Sequence, residues 1–206
     1  MTVLALFGGL ALLLYGMQLT GEGLQRAAGG HLRHLLTSMT RNRLAAIYTS
    51  PLTRARRTAE IVAAGLSMPV VTVEDLRELS LGEWEGRTVE EIRALPGDPY
   101  ARWVRDPVVG LPPGGEPLHA VQRRVVRAIE EIAAGHPNGD DVLVVCHGGV
   151  ISAFLAHCLG LPLSAIWRVT LSNGSLTEVA PPRVLSVNDT AHLDGLAAPA
   201  TAALSP

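Results

Sequence analysis

Arg54 and His147 each stand where a short apolar run gives way to helix-forming residues. The first lies in Ile47-Tyr48-Thr49-Ser50-Pro51-Leu52-Thr53-Arg54-Ala55 and the second in Val144-Val145-Cys146-His147-Gly148-Gly149. A guanidinium in the first turn of a helix adds a planar fork to backbone N–H groups that already favour an anion. Imidazole donates to phosphate or carries charge near neutral pH, and Gly148 and Gly149 let backbone approach a ligand closely. The two junctions therefore read as halves of a phosphate pocket. Glu78 opens Glu78-Leu79-Ser80-Leu81-Gly82-Glu83-Trp84-Glu85-Gly86 and is a candidate general acid, since a carboxyl against an apolar wall near Trp84 has its pKa raised. Glu83 and Glu85 in the same stretch leave that assignment open. Each feature also has a plainer reading: Arg54 as a solvated arginine beside Arg56 and Arg57, His147 as a structural strand-end histidine, Glu78 as part of a solvated acidic loop. The other histidines (His31, His34, His119, His136, His157 and His192) lack such a setting.

The elements that must position these groups follow from periodicity and turn residues. Residues 44–49 form a short apolar strand; Ser50 caps and Pro51 opens a helix over 51–65. A strand at 70–73 comes next, then a loop at 82–86 and a short helix capped by Thr88 that runs to Leu95. Residues 96–117 are too rich in proline and glycine for a regular element and read as a long ordered loop, a candidate lid, with Tyr100 and Trp103 inside it. A helix over 118–135 precedes a strand at 141–146 whose unbroken apolar run suits burial on both faces. A helix at 150–159 and strands at 167–171 and 175–179 complete the series. Alternating strands and helices predict an α/β three-layer sandwich with a mostly parallel sheet, in which ligands sit beyond the carboxyl ends of the strands.

Charge and cysteine usage narrow the function classes. Lys and Arg number 17 against 19 Asp and Glu, a formal net charge of -2, which offers no general attraction for nucleic acid. Cys146 and Cys158 read as buried free thiols in a reducing cytoplasm rather than a disulfide or zinc framework, so no metal is expected. No Walker loop, dinucleotide fingerprint or internal repeat is present, and no cofactor is expected. Residues 3–15 are almost wholly apolar, and no charged side chain occurs before Glu22. A hydrophobic helix with membrane contact through residues 3–20 is therefore expected, against the alternative of a buried helix in a soluble fold. The arginines at 26, 33, 41 and 43 place the remainder of the chain on the cytoplasmic side. An amphipathic helix is expected over 22–40, and disorder over 194–206.

Thr49-Ser50-Pro51-Leu52-Thr53-Arg54-Ala55-Arg56-Arg57-Thr58-Ala59, the segment from Glu78 to Gly86, Pro113-Gly114-Gly115-Glu116, Val145-Cys146-His147-Gly148-Gly149 and Asn173-Gly174-Ser175 resemble, in that order, the phosphoglycerate mutase-like branch of the histidine phosphatase superfamily. Asn188-Asp189-Thr190-Ala191-His192-Leu193 looks like the ending of many bacterial members. The resemblance covers residues 44–193. It implies hydrolysis of a phosphorylated small molecule through a phosphohistidine: a histidine in an Arg-His-Gly motif on the first strand attacks phosphorus, and a carboxyl protonates the leaving oxygen. By motif, Arg54 matches the phosphate-binding arginine, Glu78 the proton donor and His147 the second histidine, with Gly148 beside it in the phosphate site.

The sequence departs from that pattern at its start. No Arg-His-Gly occurs; Arg33-His34-Leu35 lacks the glycine and falls in the expected amphipathic helix. In its place, Leu6-Phe7-Gly8-Gly9-Leu10-Ala11-Leu12-Leu13-Leu14-Tyr15-Gly16-Met17 and Glu22-Gly23-Leu24-Gln25-Arg26-Ala27-Ala28-Gly29 resemble the opening of sodium/phosphate cotransporters. The expected organisation is a transporter-like segment over 1–43, a histidine phosphatase-like domain over 44–193 lacking the family's first strand, and a tail over 194–206. A phosphatase of weak or absent activity is the first functional expectation. The alternatives are a non-catalytic phosphate-binding module anchored to the membrane and a cotransporter fragment.

Overall fold

A computed structural model describes residues 4–8 and 44–193. In chain order its elements are β1 (Leu4–Gly8), β2 (Leu44–Thr49), α1 (Thr53–Leu66), β3 (Val70–Thr72), α2 (Val89–Arg93), α3 (Pro99–Arg105), α4 (Leu118–Ala134), β4 (Asp141–Cys146), α5 (Gly148–Leu159), β5 (Ser175–Ala180) and β6 (Arg183–Asp189). The six strands form one sheet in the order β3-β2-β4-β1-β5-β6. β3, β2, β4 and β1 run parallel, while β5 is antiparallel to β1 and β6 to β5.

Every residue of β4 is buried, and its pleat divides two cores. Val142, Val144 and Cys146 pack with Val121, Val125 and Ile129 of α4 and with Ile151, Phe154 and Leu155 of α5. Leu143 and Val145 face the other way, onto Ala55, Ala59, Val62 and Ala63 of α1. Helices thus cover both faces, giving the expected α/β layering. The same pleat places His147, two residues beyond Val145, on the side of α1.

Several expectations change. Residues 4–8 are a strand, not part of a hydrophobic helix, and they fill the slot between β4 and β5. The sheet therefore does not lack a first strand. A five-residue apolar run carries no periodicity that separates a doubly covered strand from a helix, so the long run misled. Strand pairing also sets the membrane contact expected for residues 3–20 aside over 4–8. Among the described residues, no helix is long and apolar enough to cross a membrane. The amphipathic helix at 22–40, the rest of the apolar run and the tail beyond 193 lie outside the described residues.

The segment 96–117 is not loop throughout. Asp98 caps α3 by accepting from the Ala101 N–H, and Pro99 occupies its first turn. Trp84, Ile92 and Tyr100 form a small satellite core there, and Trp103 packs at a tilt of 59° against Trp167, with ring centroids 4.9 Å apart. Trp167 lies in a 3-10 turn (Leu163–Arg168) instead of the strand expected at 167–171. β6 was not expected at all; Val184-Leu185-Ser186-Val187 carries no apolar/polar alternation, and only the folded strand shows alternating exposure.

Candidate active site

The carboxyl ends of β2 and β4 lie side by side, with Thr49 opposite Val145. Ser50 and His147 continue those strands, and both are buried. Arg54, in the first turn of α1, sends its Nε–H to His147 Nδ1 at 3.2 Å, while His147 Nε2 lies 2.7 Å from Ser50 Oγ. Because a guanidinium only donates, Nδ1 accepts, and a neutral ring then carries its proton on Nε2 and donates to Ser50. Ser50 Oγ also accepts from the Leu52 N–H at 3.2 Å. The serine hydroxyl therefore orients the imidazole instead of being activated by it. It is not the side-chain cap expected for α1, whose N-cap is Leu52. Burial, followed by the nearby charges of Arg54 and Arg124, lowers the His147 pKa to about 3, so the resting ring is neutral.

The acidic stretch resolves into three different roles. Glu85 accepts from Ser80 Oγ and the Leu81 N–H and closes its own loop, and Glu83 is exposed. Only Glu78 enters the site. Its Oε1 accepts from the Leu79 N–H at 2.9 Å, and its Oε2 faces the Gly149 N–H at 3.4 Å. Although part of the residue is open, its carboxyl end is enclosed. Burial raises its pKa, against the opposing pull of the two N–H groups, Arg54 and Arg124. The apolar wall is Leu79 rather than Trp84, which packs away in the satellite core.

The structure thus brings Arg54, Glu78 and His147 together at one end of the sheet. Gly148 opens α5 there, and a Cβ on it meets no described atom within 4 Å. The crowded glycine is Gly149, where a Cβ would strike the Leu79 side chain and sit 2.6 Å from Glu78 Oε1. Sequence reasoning had both glycines near a ligand but missed Ser50 and Arg124 as site residues. Arg124 is 7% exposed on α4, on the same stripe as Leu118, Val121, Val125, Ala128 and Ile132. A lone arginine on the apolar face of a helix was the available signal. Among the described residues, no group of three or more His, Cys, Asp or Glu side chains could hold a metal ion.

At the end of β1, Gly8 is level with Cys146, one residue before His147. The strand carries Leu6-Phe7-Gly8, with no ionisable or nucleophilic side chain.

Residues 15–184 match the family model of the histidine phosphatase superfamily (branch 1). The match begins well upstream of Leu44 and downstream of β1, and no comparison shows a cotransporter-like segment. Phosphoserine phosphatase 1 of Hydrogenobacter thermophilus is 32% identical over 163 residues, 77% of either chain. The adenosylcobalamin/alpha-ribazole phosphatase of Escherichia coli is 29% identical over 161 residues, covering 78% of this chain and 76% of that one. The solved structure of Bacillus stearothermophilus YhfR superposes with a TM-score of 0.75 at 30% identity, over 94% of this chain and all of that one.

Proposed function

We propose that this chain, which belongs to the histidine phosphatase superfamily, binds phosphomonoesters between Arg54 and His147 and hydrolyses them only weakly. The observation that carries this reading is the 3.2 Å contact of Arg54 Nε with His147 Nδ1 beside the enclosed carboxyl of Glu78. A guanidinium and an imidazole at a helix start suit a phosphoryl dianion. The arriving charge stabilises the imidazolium, so His147 becomes a second donor to the phosphate as ligand binds.

Glu78 suits the leaving-group side, because its raised pKa keeps a proton on the carboxyl longer than an exposed glutamate would. Without Arg-His-Gly, no side chain on β1 can take the phosphoryl group. Residual turnover then runs by direct attack of water: a bond from water oxygen to phosphorus forms as the bond to the ester oxygen breaks. Glu78 gives its proton to that oxygen, and the proton lost by water returns to the carboxylate through solvent. Losing a covalent nucleophile costs several orders of magnitude in rate.

The relatives act on phosphoserine and on alpha-ribazole phosphate by name, two unlike leaving groups. We therefore assign only the class, a phosphorylated small molecule, to a domain whose free thiols suit the cytoplasm. The Leu6-Phe7-Gly8 sequence of β1 favours a second reading, a non-catalytic phosphate-binding module. Thermal unfolding of the full chain with inorganic phosphate, together with p-nitrophenyl phosphate hydrolysis, tests both. Phosphate protection with slow turnover supports the first, and protection with none supports the second. Robust turnover abolished by His147→Ala refutes the impairment, and absence of both protection and turnover refutes the pocket.

A further inference from the structure

Arg124 uses all five of its N–H donors inside the protein. Nε and Nη2 grip the two oxygens of Glu116, each at 2.8 Å. Nη1 donates to the carbonyls of Asp75 at 2.6 Å and Arg77 at 2.8 Å, and Nη2 reaches the carbonyl of Glu78 at 3.4 Å. The backbone of Glu116 in turn donates to the Ser80 carbonyl at 2.9 Å. The carbonyls of Arg77 and Glu78, which flank the Glu78 Cα, and the carbonyl of Ser80 two residues on are therefore held to one buried guanidinium and its carboxylate partner. Burying a guanidinium is costly unless all its donors are met, so the arrangement is rigid once formed.

We propose that Arg124, clamped by Glu116, is the positioning residue that holds the Glu78 carboxyl against Leu79 and the first turn of α5. It touches no ligand. It acts by fixing the carbonyls on either side of Glu78, and it ties that acid to the Pro113-Gly114-Gly115-Glu116 loop, whose Pro113 carbonyl accepts from the Glu83 N–H at 2.9 Å. The role assigned to Glu78 rests on the phosphatase reading above, but the positioning does not.

The test is a carbon-13 NMR titration of the full chain labelled at glutamate carboxyls, with the Glu78 signal assigned by its loss in Glu78→Gln. The charged groups acting on that carboxyl are Arg54 and Arg124, and burial is the larger cause of its raised midpoint. If Arg124 positions the acid, both Arg124→Lys and Arg124→Gln release the carboxyl to water. Its midpoint then falls towards the ordinary glutamate value in both variants. If Arg124 acts only through its charge, Arg124→Gln raises the midpoint while Arg124→Lys leaves it in place. If Arg124 only supports the fold, stability drops and the midpoint stays. Either of the last two results overturns the proposal.

Should Arg124→Gln fail to fold, Glu116→Asp keeps the charge of the partner but shortens its reach and loosens the grip on the fork. A downward shift of the same sign supports the proposal, and an unmoved midpoint refutes it. The titration reads the same whether or not the chain binds phosphate, so failure of the phosphatase reading shows up separately, in the protection assay.

Discussion

The ends of β2, β4 and β1 lie side by side in the same sheet, with β4 between the other two, yet they have different fates. β2 and β4 deliver Ser50, Arg54 and His147 into one hydrogen-bonded group. β1 delivers Leu6-Phe7-Gly8, paired in register with Val144-Val145-Cys146 on one side and with Thr177, Leu176 and Ser175 on the other. A strand slot asks only for apolar residues and free backbone partners, which many five-residue segments supply. A nucleophile asks for one residue type at one position. Architecture and chemistry therefore separate on this strand: the slot is filled by residues that carry no Arg-His-Gly.

The strongest way to break that contrast is to restore the chemistry without touching the slot. In the double variant Leu6→Arg, Phe7→His, β1 reads Arg-His-Gly, ending level with Cys146. Hydrolysis of p-nitrophenyl phosphate is expected to rise by about a thousandfold or more, the usual order for regaining a covalent nucleophile. Phosphohistidine trapped after acid-free quenching identifies the route. A folded double variant with unchanged turnover shows that β1 does not stand in the nucleophile's place.

The converse is to damage the side of the sheet that is intact. Arg54→Ala removes the donor to His147 Nδ1 and the exposed fork at the pocket mouth. A hydrogen bond to a charged group contributes about 1.5–3 kcal/mol, so phosphate affinity falls on the order of ten- to a hundredfold. Calorimetric titration with inorganic phosphate measures it. Arg54→Lys keeps the charge and loses the fork, and recovers only part of the affinity. Equal affinity in wild type and Arg54→Ala removes Arg54 from the site.

How much of this was legible in the sequence depended on how local each signal was. The fully buried β4 and the helix after it could be read from Val142-Leu143-Val144-Val145-Cys146, because an unbroken apolar run ending at glycines constrains both neighbours. Arg54 and His147 stood out for the same reason, each at a strand-to-helix boundary. The family resemblance singled out Glu78 among the three glutamates, but its chemistry shows only in three dimensions, where burial raises its pKa and the Leu79 and Gly149 N–H groups, the latter on a different element, hold its two oxygens. Arg124 was hidden because its partners lie at Asp75, Arg77, Glu78 and Glu116, and no periodicity reports such distant pairing. The short β1 was misread because length was the only criterion separating helix from strand, and the apolar run continues past Gly8.

The smallest expected effect concerns protons, and it sharpens the contrast by asking whether the intact side of the pocket is dry. His147 has a folded-state pKa of about 3 against an ordinary value of 6.5. Between those values the unfolded chain binds more protons than the folded one. The stability this histidine contributes is complete above about pH 6.5 and is lost as pH falls towards 3. Between about pH 7 and pH 5 that loss is on the order of 1–2 kcal/mol for a fully desolvated ring. Glu78 works in the opposite direction: its raised pKa means the folded state holds a proton longer, so stability recovers as pH falls through its folded midpoint. Urea unfolding at about pH 7, 6 and 5 separates the two. His147→Asn is expected to flatten the loss, and Glu78→Gln to steepen it by removing the offset. If wild type and His147→Asn lose stability in parallel, the imidazole is already hydrated, and the 2.7 Å contact with Ser50 does not mark a closed pocket.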